Sequence, residues 1–185
     1  MESLRNAPPV FEVLTQKAAK GDNLAFQEIY DAIADKMYSL CLRYAGNSHD
    51  ANDWFQEGFV KLYRHLSGFR AEGSFEGWAR RIFVGICIDA IKKKKILFSV
   101  INEEMNLASD MLNGYDKLTN GDLMKIIREM PDAHRTIVNL YLVEGYTHKE
   151  IGDMLNISEE GSRSQLFRAR THLQKKLAEF HDKTI

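Results

Sequence analysis

The sequence predicts an all-α fold in which two small helical domains are joined by a flexible acidic linker. Apolar residues recur at intervals of three and four along most of the chain, as in helices with one buried face. No stretch shows the apolar and polar alternation of a strand. The periodicity weakens at 96–120, where asparagine and glycine collect, and a domain boundary is expected there. The predicted parts are an N-terminal extension at 1–21, a first domain at 22–95, a linker at 96–120, a second domain at 121–180 and a tail at 181–185.

Three helices are predicted in the first domain. Asp22 is the candidate N-cap of the first, the second begins near Ser48, and Ser74 caps the third. The third helix ends in lysines at 92–95, which suit the negative end of the helix dipole. The apolar stripe of the second helix comprises Ala51, Phe55, Phe59, Leu62 and Leu66, and that of the third comprises Phe75, Trp78, Ile82, Ile86 and Ala90.

The pattern of the second domain predicts two short helices on either side of Pro131 and then a helix-turn-helix pair. Thr147 and Glu150 have the spacing of a capping box, so a helix should start there. Ser158 is expected to cap the long final helix. The buried stripe of that helix comprises Ser162, Leu166, Ala169, Leu173 and Leu177, and its opposite face shows Arg163, Ser164, Phe167, Arg168 and Thr171. Such a face can reach phosphates and base edges in a major groove, although an ordinary helical hairpin with a solvated basic face has the same pattern.

Bulk properties restrict the class of protein. The composition, 44% hydrophobic and 28% charged, is that of a soluble globular protein. The two cysteines, Cys41 and Cys87, lie in apolar helical patterns without CxxC spacing, so neither a disulfide scaffold nor a zinc ribbon is indicated. The chain shows no signal peptide and no apolar run that reaches the roughly 18 residues of a membrane span, and a cytoplasmic location is therefore expected. No catalytic, metal or cofactor motif is found.

Charge is distributed unevenly although the net charge is only −1. Basic residues outnumber acidic ones by six to one at 80–95 and by five to none at 161–178, and the stretch 101–122 between these islands is acidic. The third helix combines Trp78, Arg80 and Arg81 with the lysines, which suits single-stranded DNA, although Trp78 is equally compatible with core packing. An acidic turn formed by Asp50, Asp53, Gln56 and Glu57 begins the second helix, where dipole complementarity is the simpler explanation.

Taken together and in order, these segments resemble the sigma-70 family of RNA polymerase sigma factors. Residues 50–63 (DANDWFQEGFVKLY) are similar to the polymerase-binding helix of sigma domain 2. Residues 69–89 and the lysines that follow resemble its promoter-melting segment, and residues 130–173 resemble the helix-turn-helix of sigma domain 4. No segment corresponds to the extra domains 1.1 and 3, so the resemblance is to the extracytoplasmic-function (ECF) type. The run SRSQL at 162–166 resembles members from Bacteroidetes.

The resemblance implies roles for particular residues. Core polymerase would be bound at the clamp helices of its largest subunit by Asp53, Gln56, Glu57 and Lys61, and at the flap of the second-largest subunit by the second domain. The loop 66–75 would hold a flipped base of the −10 element. The residues implied in binding the −10 strand are Phe69, Arg70, Ser74, Trp78, Arg80, Arg81, Lys92, Lys93 and Lys94. Those implied at the −35 element are Thr147, His148, Ser162, Arg163, Ser164, Gln165, Phe167 and Arg168. The acidic linker resembles those that thread the RNA exit channel, and an anti-sigma factor or another recruiting protein is a further candidate partner.

Departures from the family pattern leave some questions open. Asn52, Gly85 and the run Glu160-Gly161-Ser162 replace the usual glutamate, asparagine and GTV, so the promoter sequence and the need for a −35 element stay undecided. One alternative is a helix-turn-helix regulator that does not bind core polymerase, but it leaves the acidic turn unexplained. Two further alternatives are an enzyme and an interaction module without DNA binding. The lack of a catalytic motif argues against the enzyme, and the clustered basic residues of the last helix argue against the interaction module.

Overall fold

The structure, a computed structural model, describes residues 8–94 and 120–182. The helices are α1 (Pro8–Ala18), α2 (Asn23–Ala45), α3 (Ser48–His65), α4 (Phe75–Lys93), α5 (Asn120–Glu129), α6 (Asp132–Val138), α7 (His148–Leu155) and α8 (Glu159–Asp182). A 3₁₀ turn at Leu66–Gly68 follows α3, and a π-helical turn at Asn139–Val143 follows α6. No strand occurs within the described ranges, and the predicted all-α class is confirmed. The predicted linker, apart from Asn120, lies outside the described residues.

The described chain forms two compact units. The first unit contains residues 8–42 and 48–87, and the second contains 43–47, 88–94 and 120–182. Helix α1 belongs to the first unit, although the sequence pattern predicts an N-terminal extension for this stretch. The predicted domain limits stay a prediction. Among the described residues, none of the helices has the length and apolar character needed to cross a membrane.

Aromatic rings and one glycine fix the packing of α2, α3 and α4 in the first unit. Tyr30 of α2 and Phe83 of α4 pack against Phe59 of α3, with centroid separations of 4.6 and 5.3 Å. Gly58 lies one residue before Phe59, and a Cβ atom there would be 2.3 Å from the fully buried Phe83 ring. Because no side chain fits at that distance, the glycine is what allows α3 and α4 to approach this closely.

The buried face of α4 differs from the predicted stripe. Trp78, Ile82 and Ala90 are only half-buried, whereas Ala79 and Phe83 are fully buried. Helix α4 is apolar on nearly all sides from Ile82 to Ile88, so hydrophobic periodicity alone could not define its rotation. The close contact between Phe83 and Gly58 defines it instead. On α3 the prediction also missed Trp54, which is buried, while Phe55 is half-buried.

All four caps proposed from the sequence are present. The Asp22 carboxylate accepts hydrogen bonds from the backbone N–H groups of Leu24 and Ala25, at 3.0 and 3.1 Å. Further caps are the hydroxyls of Ser74 and Ser158, which accept from Gly77 and Gly161, and the reciprocal capping box of Thr147 and Glu150. These hydrogen bonds satisfy backbone donors that the first turn of a helix otherwise leaves unpaired.

In the second unit, α6 and α7 pack on α8. The stripe predicted for the last helix is confirmed, since all five of its members are buried, namely Ser162, Leu166, Ala169, Leu173 and Leu177. Arg135 of α6 is also buried, and its guanidinium donates to the carbonyl oxygens of Arg128 and Met130 and pairs with Asp132. A buried cation is tolerated because its donors are satisfied in this way.

Candidate polymerase and nucleic-acid interfaces

The acidic turn of α3 lies on the face opposite the core. The side chains of Asp53, Gln56 and Glu57 are exposed, and Lys61 is half-buried one turn further on. The structure therefore brings together the four residues implied in polymerase binding, because positions three and four apart lie on the same face of a helix. Asp53 also lies 3.4 Å from the His49 ring, where an ion pair forms when the histidine is protonated.

Val60 belongs to the same face and was not among the predicted site residues. Its side chain is 51% exposed, and it lies three and four residues after Glu57 and Gln56. The sequence could have indicated Val60, because it is an apolar residue that lies outside the predicted buried stripe of its helix. Single exposed apolar residues are common on protein surfaces, but one beside an acidic patch supplies the apolar centre that protein interfaces usually contain.

The loop between α3 and α4 is built around three aromatic rings. Phe69, Phe75 and Trp78 have centroid separations of 5.2 to 5.6 Å. Phe75 is buried, whereas Phe69 and Trp78 are half-buried and keep part of their rings at the surface. Arg70 and Ser74 are exposed, and the Ser74 hydroxyl caps α4. Two of the predicted base-contacting rings therefore lie together at the surface of the loop.

The basic residues of α4 do not form one cluster. A helix advances by about 100° per residue, so Arg81, Lys92 and Lys93 share the side of Trp78, whereas Arg80 points about 200° away from that residue. Lys92 lies 14 positions after Trp78, which is about 21 Å along the helix axis. The lysines and the aromatic rings therefore cannot contact the same nucleotide. Lys94 follows directly after the end of α4.

The turn of the helix-turn-helix depends on two special backbone positions. Asn156 ends α7 in the left-handed conformation, with a φ of 58°. Gly152 lies against the turn, where a Cβ atom would be 2.8 Å from the Ile157 carbonyl oxygen. The close approach of the Gly152 and Ile157 backbones holds α7 and α8 together at their junction. The other end of α7 is stabilised by the capping box of Thr147.

The structure corrects one of the residues implied at the −35 element. Ser162 is fully buried, and its hydroxyl lies 3.0 Å from His148 Nδ1, so the serine does not reach the surface. The reason is its position on the buried stripe of α8, which the resemblance did not take into account. His148 itself is half-buried and stacks on Tyr141 at 4.5 Å with an interplanar angle of 21°.

The remaining −35 candidates are divided between the front and the flanks of α8. Arg163 and Ser164 are exposed and Phe167 and Arg168 are half-buried, all on the side away from the core. Gln165 lies on the other flank, about 200° from Arg163. Arg163 forms an exposed ion pair with Glu159 one turn earlier. Such a pair contributes only about 0 to 1 kcal/mol, so a phosphate or base could replace it.

Tyr141 and Arg170 were missed by the sequence analysis. The Arg170 guanidinium lies 5.9 Å from the centroid of the Tyr141 ring, whose other neighbour is His148. The location of Arg170 in the second basic island was the available signal. Partial burial, followed by the positive charge of Arg163, lowers the pKa of His148 below its ordinary value of 6.5, while Glu159 acts in the opposite direction.

Among the described residues, no group of His, Cys, Asp and Glu side chains is arranged to hold a metal ion.

Two sequence families match the chain in the order of these surfaces. Sigma-70 region 2 matches residues 29–96, and sigma-70 region 4 matches residues 120–173. The ECF RNA polymerase sigma factor SigW of Bacillus subtilis is 32% identical over 177 residues, which cover 88% of this chain and 94% of SigW. The ECF RNA polymerase sigma factor SigE of Mycolicibacterium smegmatis is 30% identical over 90% of this chain and 68% of its own length.

Solved structures show the same fold at lower identity. CnrH, in complex with the cytosolic domain of CnrY, covers 92% of this chain and 98% of its own, with a TM-score of 0.50 at 17% identity. The sigma factor RpoE of Bartonella quintana, in complex with the anti-sigma factor NepR, has a TM-score of 0.52 at 15% identity over 83% of this chain and 96% of its own.

An all-α chain whose second unit carries a helix-turn-helix with an exposed basic face has the features of the DNA-binding class of proteins. The region matches and the SigW relative show that this chain belongs to the sigma-70 family, as an ECF RNA polymerase sigma factor. Directing transcription initiation is therefore its function. The likeness to Bacteroidetes members is not addressed by these relatives and stays a prediction.

Proposed function

We propose that this sigma factor binds core RNA polymerase through the acidic turn of α3 and selects promoters through two DNA contacts, the loop 66–75 at the −10 element and α8 at the −35 element. One observation carries the proposal. Each of the three elements buries part of its side chains in its unit and leaves most of the residues implied by the family resemblance exposed or half-buried, with Ser162 as the buried exception. In this proposal the protein acts as a non-enzymatic subunit of RNA polymerase in the cytoplasm, where the polymerase is found.

The polymerase contact rests on charge and position. Asp53 and Glu57 are carried by a helix whose buried side is anchored by Trp54 and Phe59, so the backbone at both positions is fixed. Val60 adds apolar area beside them. A basic, partly apolar partner surface would complement this face, and the clamp helices of the largest polymerase subunit are the proposed partner. The second unit is proposed to bind the flap of the second-largest subunit.

The −10 contact rests on the half-buried rings of Phe69 and Trp78. A base that has left the duplex is stabilised by stacking on aromatic side chains, each stack contributing about 1 to 3 kcal/mol. Arg81 lies on the same side of α4 and can neutralise the adjacent phosphates, and the lysines about 20 Å away would follow the strand several nucleotides further on. The separation therefore favours a strand that runs along α4.

The −35 contact rests on the exposed face of α8. Arg163 lies near the start of the helix, where its exposed ion pair with Glu159 is weak enough for DNA to replace it. Ser164 and Phe167 share that face, and Arg170 extends the positive charge toward Tyr141. Ser162 is proposed to act indirectly, by positioning the His148 ring. CnrH and the Bartonella sigma factor were solved with CnrY and with an anti-sigma factor, and we propose that a protein of that kind also controls this chain.

The test combines two variants of the full-length chain with purified core polymerase. Asp53→Lys together with Glu57→Lys is expected to weaken core binding by about tenfold or more, because two attractive charges become repulsive. The matched control reverses Asp31 and Asp35, two exposed acids with the same spacing on α2, and is expected to leave the affinity unchanged. Equal affinities for the two double variants would refute the polymerase contact.

Arg163→Ala tests the other interface on promoters selected from a random library with the wild-type holoenzyme. Loss of a base contact is expected to reduce binding by about 1 to 3 kcal/mol and to relax discrimination at one −35 position. A phosphate contact would weaken every sequence alike, and core binding should not change in either case. If the wild-type chain fails to bind core polymerase but binds duplex DNA specifically on its own, it is a regulator of the alternative kind.

A further inference from the structure

Helix α1 touches both ends of the loop 66–75. Phe11 stacks on Phe75, the first residue of α4, with ring centroids 4.7 Å apart and an interplanar angle of 8°. The same helix packs against the 3₁₀ turn Leu66–Gly68, at which the loop begins. A segment that lies outside the three-helix core thus reaches the point where the chain enters the loop and the point where it leaves.

Phe75 connects Phe11 to the rings that reach the surface. Phe69 meets the Phe75 ring edge-on at 5.2 Å, and Trp78 lies 5.6 Å from it at an angle of 40°. Phe75 is buried, so it offers no surface of its own, whereas the other two rings are half-buried. A change in the orientation of the Phe75 ring would therefore be transmitted to Phe69 and Trp78, because closely packed rings cannot move independently.

The loop needs such support because its backbone is not in a relaxed conformation. Ala71 has a φ of 56°, in the left-handed region that residues with a Cβ atom rarely occupy. A conformation of this kind persists only where surrounding contacts hold it. The stack of Phe11 on Phe75 and the packing of α1 on the 3₁₀ turn are contacts of that sort, one at each end of the loop.

A purely structural role for Phe11 has less support. Thr15 and Ala18 are the buried residues that anchor α1 to the first unit, and Phe11 is only half-buried. Parallel stacking at this separation depends on ring orientation in a way that general apolar burial does not. The geometry therefore favours a contact that fixes the direction of a neighbouring ring.

We propose that Phe11 is a positioning residue for promoter opening: its ring holds Phe75, and through it Phe69 and Trp78, in the arrangement that accepts an unstacked base of the −10 element. Phe11 does not touch the base. The proposal deepens the proposed function and rests on it, since it assumes that the loop 66–75 binds the non-template strand.

The experiment uses holoenzyme assembled from core polymerase and full-length variants, and a fluorescent single-stranded oligonucleotide carrying the non-template −10 sequence of a promoter selected with the wild type. Phe11→Leu keeps an apolar side chain but removes the ring face, and is expected to weaken oligonucleotide binding about three- to tenfold. It should also reduce discrimination against single-base changes in the −10 sequence. Phe11→Tyr keeps the ring and should restore both properties. Val13→Ala, an exposed apolar residue on the same helix, is the matched control and should behave as the wild type.

Core affinity and thermal stability are measured in parallel, because a general loss of structure would affect them first. Unchanged strand affinity and discrimination in Phe11→Leu would overturn the proposal. So would a loss of core affinity as large as the loss of strand affinity, since Phe11 would then support the fold as a whole. A wild-type holoenzyme that does not bind the oligonucleotide would instead refute the −10 part of the proposed function.

Discussion

The loop between α3 and α4 and the turn between α7 and α8 position helices by different physical means. Side chains hold the first: Phe69 of the loop packs on Phe75 and Trp78 at the start of α4, and Phe11 of α1 stacks on Phe75. Backbone holds the second, in which Gly152 meets the Ile157 carbonyl and Asn156 supplies a left-handed residue. Packed side chains can set the positions of rings that receive a base, whereas a turn held by backbone contacts presents its helix in one orientation. The difference matches the proposed tasks of capturing an unstacked base and of reading an intact groove.

The largest expected effect concerns the packing beneath the first loop. Gly58→Ala places a Cβ atom against the buried Phe83 ring and is expected to lower the free energy of unfolding by about 2 to 3 kcal/mol. Gly85→Ala is the matched control, because nothing lies within 4 Å of the added atom. Alanine should there raise the stability by about 0.5 to 1 kcal/mol through helix propensity. Urea unfolding followed by tryptophan fluorescence reports on this unit, which contains both Trp54 and Trp78. The same sign for both variants would contradict the close packing.

Gly152→Ala tests whether backbone contact holds the second turn. The new Cβ atom would collide with the Ile157 carbonyl. Because the cost of overpacking exceeds the gain in helix propensity, the free energy of unfolding is expected to fall by about 1 to 2 kcal/mol. Because Gly152 and the tryptophans belong to different units, the loss should appear in far-UV circular dichroism before it appears in tryptophan fluorescence. Activity on promoters that need a −35 element should fall more than core binding, because the acidic turn of α3 is proposed to bind core polymerase independently of the second unit. Loss of core binding of equal size would show that the two units do not respond separately.

Each of the two connections contains one residue in the left-handed conformation, Ala71 in the first and Asn156 in the second. Substituting these residues is expected to change the stability less than Gly58→Ala and Gly152→Ala do. Asn tolerates this conformation better than Ala, so Asn156→Ala is expected to destabilise the chain by about 1 kcal/mol. Ala71→Gly relieves strain in the first loop and should be neutral or stabilising by up to about 1 kcal/mol, since the greater freedom of glycine in the unfolded chain offsets part of the gain. The thermal unfolding temperature should therefore fall for Asn156→Ala and should stay the same or rise for Ala71→Gly. A destabilised Ala71→Gly variant would mean that the loop conformation is not strained.

The smallest expected effect is on pH dependence, and it concerns the second unit. Burial first, and then the neighbouring His172 and Arg168, lower the pKa of His134 below 6.5. The unfolded chain then binds more protons than the folded chain over part of the acidic range, so stability is complete above about pH 6.5 and falls as the pH drops through the folded pKa. His134→Leu should make the stability difference between pH 7.5 and 5.5 smaller. His148 contributes in the same direction, so part of the difference should remain. An unchanged difference would contradict the assignment.

Local features of the fold could be predicted from the sequence, and tertiary ones could not. The caps at Asp22, Ser74, Thr147 and Ser158 depend on residues within one helical turn, and all were predicted. Helix α1 could also have been found, because Phe11, Leu14 and Ala18 have helical spacing after the prolines that suit a first turn. The rotation of α4 could not, because it depends on the space that Gly58 leaves for Phe83.

The candidate site shows the same division. The exposed positions of Asp53, Glu57, Arg163 and Ser164 follow from the stripes that bury the opposite faces. Ser162 was assigned both to the buried stripe and to the DNA surface, and the structure supports the stripe. The contribution of Phe11 could not be read from the sequence, because its partner Phe75 is 64 positions away along the chain and the two meet only in the folded unit.

The π-helical turn after α6 has a consequence for insertions and deletions in this chain. Within it the N–H of Glu144 donates to the carbonyl oxygen of Asn139, five residues earlier, at 2.9 Å. A wider turn of this kind accommodates one residue more than an α-helical turn of the same height. Deleting a single residue of this turn that precedes Tyr141 would let the helix continue in α geometry and would rotate Tyr141 by about 100° relative to the residues before it. The His148 ring would lose its stacking contact with Tyr141, although no residue of the helix-turn-helix had changed. Variation in length at residues 139–143 is therefore expected to alter DNA recognition more than substitution of the exposed Leu142 or Val143.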